Sequence, residues 1–162
     1  MNTNGSSHNR IQVKKSVKRK ELIEAALGKR ELDLLIKNAE LVNVFTGEIY
    51  KADVGIYREF IAHVEADADN IKDEKIEMDA RKVIDAEGMY LIPGLIDTHV
   101  HIESSMMTPR NFARTVIPHG TTTVITDPHE IGNVMGLEGV KYMSGSSKDL
   151  PMNQYILAPS CV

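Results

Sequence analysis

Tryptophan is absent from this 162-residue sequence, aromatic residues make up only 5%, and Cys161 is the single cysteine. One cysteine excludes an internal disulfide framework and fits a reducing compartment. No apolar run approaches the roughly 18 residues of a membrane-spanning helix, and no signal-like apolar segment opens the chain. The expectation is a cytoplasmic protein with no membrane partner. What is present reads as globular. Hydrophobic residues make up 42% and charged residues 26%, enough to bury a core in one domain, or in a small domain plus part of a larger one. The net charge of −4 hides an asymmetry: residues 1–30 carry about +6, from Arg10, Lys14, Lys15, Lys18, Arg19, Lys20, Lys29 and Arg30 against Glu21 and Glu24. No aromatics are interleaved for base stacking, so this arm reads as a solvated extension and nucleic acid is not the expected partner.

The pattern divides the chain into residues 1–30, 31–92 and 93–162. In the first part, residues 1–15 are polar and expected to be disordered. Residues 16–28 predict a helix with Ser16 as N-cap, an apolar stripe of Leu22, Ile23, Ala26 and Leu27, and Gly28 as the stop. The second part predicts short strands at Leu34–Ile36, Glu40–Phe45, Ile49–Tyr50, Asp53–Tyr57, Phe60–Val64 and Lys82–Ala86. The turn Thr46-Gly47 and an acidic loop from Glu65 to Glu77 lie between them. Such spacing predicts a small β-sandwich. The third part alternates strands with helices. Leu95–His101 is followed by a helix opened by Thr108 and Pro109, with Phe112, Ala113, Val116 and Ile117 as its buried face and Gly120 as its end. Then come Thr121–Thr126, a short helix over Gly136–Met143, and Tyr155–Ala158. This alternation predicts an α/β fold: the first strands and helices of a (β/α)8 barrel, broken off near the third strand.

The chemistry gathers at two strand ends. On an extended strand Asp97, His99, His101 and Glu103 alternate and share one face. His-x-His on a strand offers two imidazoles at fixed spacing to a divalent metal, and nearby carboxylates add negative charge. His99 and His101 are the expected metal ligands. The second cluster is Asp127-Pro128-His129-Glu130, where proline ends the strand and turns the following side chains toward its mouth. Glu103, Asp127, His129 and Glu130 are the candidate catalytic residues, as ligands, general acids and bases, or groups that orient ligands. Ser104 and Ser105 contact substrate or cap the following loop. Met106 and Met107 are expected to pack, His119 to sit at a helix end, and Cys161 to fill a core.

The run Leu91-Ile92-Pro93-Gly94-Leu95-Ile96-Asp97-Thr98-His99-Val100-His101 resembles the first barrel strand of the amidohydrolase superfamily, and the segment from Ile36 to Glu48 is similar to that superfamily's N-terminal β-sandwich. His101-Ile102-Glu103-Ser104-Ser105, Pro118-His119-Gly120 and Asp127-Pro128-His129-Glu130 resemble its adenine-deaminating branch. The resemblance covers about residues 31–162. It implies hydrolysis of adenine to hypoxanthine and ammonia, a purine-salvage step, at a site holding Mn or Fe, with Zn also suited to these donors. It also implies a homo-oligomeric full-length enzyme. His99 and His101 map onto the family's first two metal ligands. The family draws further ligands from later strands, so the chain is expected to be an N-terminal fragment that is inactive alone and prone to aggregate. Two alternatives remain at this level: another amidohydrolase acting on cyclic amides, of dihydroorotase or hydantoinase type, and a non-catalytic fragment that binds a partner.

Overall fold

A computed structural model describes residues 18–66 and 76–159. The stretch 1–15, Ser16, most of the acidic loop and Cys161 lie outside the described residues. The chain divides into two compact units, Met1–Ile92 and Pro93–Val162. No helix among the described residues is long and apolar enough to cross a membrane.

In the first unit, helix α1 spans Arg19–Ala26 after Lys18, which supplies no side-chain cap. The buried residue of α1 is Ala25, with Leu22 packed beside it, while Ile23 and Leu27 are about half exposed. The expected stripe is therefore corrected to Leu22 and Ala25, the i,i+3 pair that a two-turn helix can lay against a sheet. Strands β1 (Leu34–Asn43), β2 (Glu48–Tyr57), β3 (Phe60–Ala66), β4 (Val83–Asp85) and β5 (Tyr90–Leu91) form one five-stranded mixed sheet centred on β1. The described residues thus make a single sheet backed by a helix, where two facing sheets had been expected. The shared core is Ala25, Leu32, Leu35 and Tyr57.

Two pairs of predicted strands fuse. Leu34–Ile36 and Glu40–Phe45 become β1, because Asn38 bridges the polar gap as a bulge at φ 59°. Asn tolerates this left-handed geometry better than most side chains. Its amide donates to Asp53 Oδ1 at 2.8 Å and its side chain donates to Asp85 Oδ1 at 2.9 Å, so the bulge leaves no backbone donor stranded. Ile49-Tyr50 and Asp53–Tyr57 likewise join as β2. Opposite the helix's C-terminal end, Arg30 pairs with Glu24 at 2.7 Å. The guanidinium holds the Glu24 carboxyl below its ordinary range, against a smaller opposing effect of desolvation.

In the second unit, β6 (Leu95–Val100), β7 (Thr121–Thr126) and β8 (Asn153–Ile156) form a parallel three-stranded sheet in sequential order. Helix α2 (Pro109–Val116) links the first pair; α3 (His129–Met135) and α4 (Leu137–Ser146) link the second. Thr108 caps α2 as its sequence requires, its hydroxyl accepting from the Asn111 amide at 3.4 Å, with Pro109 in the first turn. Phe112 and Ala113 of α2 and Met143 of α4 bury with Val124, Ile102 and Met152 in one cluster, so both crossovers cover the same face of the sheet. A doubly wound sheet would place helices on both faces. The opposite face is open: Ile96 and Tyr155 are each 61% exposed. Met107 packs on the core as expected, but Met106 is 96% exposed, at a left-handed turn position (φ 57°).

The helix expected over Gly136–Met143 is preceded by another, α3, and the two meet at Gly136. Seven residues containing Gly132 and Asn133 carry too little helical periodicity to be read from sequence. α3 and α4 approach so closely that a Cβ on Gly139 would lie 2.6 Å from the Ile131 carbonyl oxygen, a backbone atom. Gly139→Ala should therefore push α3 off α4 and cost about 1–3 kcal/mol, the usual range for overpacking. A lowered thermal midpoint by circular dichroism checks this; an unchanged midpoint would contradict the close approach.

Candidate metal centre

The site forms where β6 and β7 end side by side. β6 stops at Val100, and the Asp127 amide donates to the Val100 carbonyl at 3.1 Å, extending the pairing one residue beyond β7. The next peptide along each strand then carries a functional side chain. Polar groups gathered at the C-terminal ends of parallel strands occupy the usual functional edge of α/β folds.

The expectation that Asp97, His99, His101 and Glu103 share one strand face needs correction. Only Asp97 and His99 lie within β6; Glu103 opens a 3-10 turn, Glu103–Ser105. Asp97 Oδ1 accepts from the His99 backbone amide at 3.1 Å, a local turn-like bond, and is not among the grouped donors. The strand ends early because the backbone leaves the extended region at Ile102 (φ −59°, ψ −41°) to open the turn, which carries Glu103 toward α3.

His99, His101 and Asp127 come together. Their ligating atoms lie within 4.8 Å of one another, as do those of His101, His129 and Glu130. His99 Nε2 and His101 Nε2 are 3.1 Å apart. Two nitrogens each about 2.0–2.1 Å from one metal are separated by about 2.8–3.4 Å for bond angles between 90° and tetrahedral, so the pair already has the spacing of a shared cation. His101 Nδ1 lies 2.9 Å from the Asp127 carbonyl oxygen. A carbonyl can only accept, so Nδ1 carries the hydrogen and Nε2 of the neutral ring presents its lone pair. That is the tautomer a metal-ligating histidine needs, held by the backbone. Among the described residues the carboxylates add three buried oxygens that lack a hydrogen-bond partner, Glu103 Oε2, Asp127 Oδ1 and Glu130 Oε2. Unpartnered anionic oxygens beside converging imidazoles are the donor set of a cation site, and the residues fit a divalent metal.

His129 and Glu130 sit in the first turn of α3. The His129 Nδ1 to Asp127 Oδ2 distance is 3.2 Å, and this hydrogen bond raises the imidazole pKa above its ordinary value; partial desolvation opposes it, and Glu130 and Glu103 reinforce it. For Glu130, desolvation pushes the pKa up, but the Ser104 hydroxyl and the two neighbouring histidines outweigh it and leave the carboxyl below its usual range. Glu130 Oε2 lies 3.0 Å from His101 Nδ1 and 3.8 Å from His129 Nε2. Glu103 stands apart from the grouped donors: its Oε1 accepts from the Ile131 amide at 3.4 Å. Sequence reasoning missed two contributors here, the Asp127 backbone carbonyl and the link from Ser104 to Glu130. Neither carries a spacing signal, since both depend on strands meeting across 26 residues. His119 is exposed in the 3-10 turn that follows α2.

Residues 90–162 match the model of the amidohydrolase family. The chain is 51% identical over 142 residues to the adenine deaminases of Thermosipho africanus and of Kosmotoga olearia. Each alignment covers 88% of this chain and 23% of the relative, so the chain spans about a quarter of the length of these curated relatives. Among solved structures, a crystal structure of D-aminoacylase, described as defining a novel subset of amidohydrolases, superimposes with a TM-score of 0.56. It is 20% identical and covers 79% of this chain and 30% of its own, a likeness of fold alone.

The Asp127–His129 contact makes a signed prediction for the metal-free chain. A raised histidine pKa stabilises the fold below the unfolded pKa, and that contribution is lost as pH rises through the folded value. Asp127→Asn should lower the His129 midpoint toward the ordinary imidazole range, followed by NMR titration of its ring protons. A midpoint that stays put or rises would show that Asp127 does not govern His129.

Proposed function

We propose that residues 93–162 are the opening strands of a metal-dependent amidohydrolase barrel, and that the enzyme to which this sequence corresponds hydrolyses adenine to hypoxanthine and ammonia. On this reading residues 1–30 are a basic extension and residues 31–92 a portion of the accompanying β-sandwich. The observation that carries the metal assignment is the 3.1 Å approach of His99 Nε2 to His101 Nε2. Identity of about half the residues with adenine deaminases favours adenine over a cyclic amide.

His99 and His101 would hold the metal, with Asp127 within reach. The ion supplies Lewis acidity, which makes water a nucleophile near neutral pH; Mn or Fe is the family expectation. The chain's own residues supply orientation and proton handling. The Asp127 carbonyl fixes the His101 ring. His129, with its affinity for a proton raised by Asp127, and Glu130, kept ionised beside it, form an acid–base pair at the mouth of the strands. Deamination of a purine needs a proton delivered to a ring nitrogen and another to the departing amine. Glu103 serves this chemistry by anchoring α3. Adenine is the substrate and the site closes with ligands from further strands, so the 162-residue chain alone is expected to turn over no adenine even with added manganese.

Two measurements test this reading. The isolated chain should bind one Mn2+ by calorimetric titration, and replacing His99 and His101 together with Ala should weaken binding by more than about 100-fold, beyond the loss seen for outer partners of a ligand. Grafted into the Thermosipho africanus relative in place of the segment it matches, the chain should support hypoxanthine formation from adenine, abolished by His99→Ala. A chimera that instead opened dihydroorotate or hydantoin would overturn the substrate assignment, and turnover by the isolated chain would overturn the need for further ligands.

A further inference from the structure

The turn Glu103–Ser105 holds none of the grouped metal donors, yet hydrogen bonds fasten it on both sides. Ser105 Oγ donates to the Ile102 carbonyl at 2.5 Å, closing the turn over the buried Ile102. Glu103 Oε1 accepts from the Ile131 amide, and Ser104 Oγ donates to Glu130 Oε1 at 2.9 Å. Both of the last two bonds reach the first turn of α3. That turn has amides without intrahelical partners, and the residue before it, Pro128, supplies no side-chain cap. Glu103 meets this need from 28 residues away.

Ser104 meets a different need. It is exposed, so it has no packing role. Glu130 has three rotatable side-chain bonds, and ordering such a side chain costs up to about 2 kcal/mol of rotamer entropy. Its one direct side-chain hydrogen bond to another side chain among the described residues is the one from Ser104. With Oε1 held there, Oε2 is left buried without a hydrogen bond, 3.0 Å from His101 Nδ1. The other acceptor facing that nitrogen is the Asp127 carbonyl. His101 Nδ1 is thus faced by one rigid backbone acceptor and, in contact at 3.0 Å, one flexible carboxylate, and the flexible one is held by a serine.

We propose that Ser104 is a positioning residue: with Glu103 anchoring the start of α3, its hydroxyl holds the Glu130 carboxylate against His101 and so keeps that ring aimed at the metal position. The inference rests on the metal reading above for its functional consequence, and on the hydrogen bonds alone for the latch itself.

The test uses the 162-residue chain with Ser104→Ala and Ser104→Thr, the second keeping the hydroxyl. Mn2+ affinity is read by calorimetry and the Glu130 side-chain carboxyl carbon by NMR in the metal-free chain. Ser104→Ala should weaken Mn2+ binding about tenfold, the lower end for losing an outer hydrogen-bond partner of a ligand. It should also shift the Glu130 carbon signal, with thermal stability unchanged. Ser104→Thr should restore both. If the carbon signal does not move in Ser104→Ala, there is no latch and the proposal is overturned. If the signal moves but affinity holds, the latch does not serve the metal and the proposal is equally overturned. Failure of the unsubstituted chain to bind Mn2+ would refute the metal reading, and the carbon signal would then decide the latch by itself.

Discussion

The parallel pairing of β6 with β7 does not stop cleanly at the last ladder residue, and the site depends on that one-residue overrun. The Asp127 amide bonds back to Val100, and the Asp127 carbonyl receives the hydrogen of His101 Nδ1. One residue thus uses its N–H to set strand register and its C=O to choose a histidine tautomer. The two segments that bear the chemistry are far apart in the chain, and they meet in one orientation because both ends of residue 127 are committed.

Burial of Ile102 is the second constraint. It is fully buried with Phe112, Ala113 and Val124, between His101 and Glu103, both only partly buried. An apolar side chain of that size is worth about 1.5–3 kcal/mol when taken out of water, and it pins the chain at the point where its backbone leaves the strand (Ile102 φ −59°, ψ −41°). The bend parts the neighbours: His101 stays with His99 and Asp127, and Glu103 is carried to the start of α3. The core of the second unit therefore does more than stabilise it. It anchors the turn that separates two polar residues which a straight strand would have left on one face.

In the first unit the same kind of sorting is done by polar groups. The Asn38 bulge is held by Asp53 and Asp85, and β1 runs unbroken through a stretch whose composition reads as a gap. Helix α1 covers the sheet through Ala25 and Leu22, a narrower contact than the apolar content of residues 19–27 implies. Local patterns overstate both the number of strands and the width of the helix face, because each is read without knowing which neighbour will accept the backbone hydrogen bonds.

The alternation of strands and helices after Pro93, the Thr108–Pro109 helix start, and the pairing of His99 with His101 as candidate ligands were legible in the sequence. Period, capping chemistry and ligand type are properties of a few adjacent residues. The sequence also brought Asp127, His129 and Glu130 to notice, but as a strand-end turn, with the helix that carries the last two unseen. Only the tertiary structure decided that Asp97 bonds its own turn, that Glu103 leaves the ligand face, and that Ser104 holds Glu130. Each of these follows from where a distant strand or helix presents a backbone amide or carbonyl. That information lies in the register of β6 against β7 and in the burial of Ile102, and no spacing within either segment contains it.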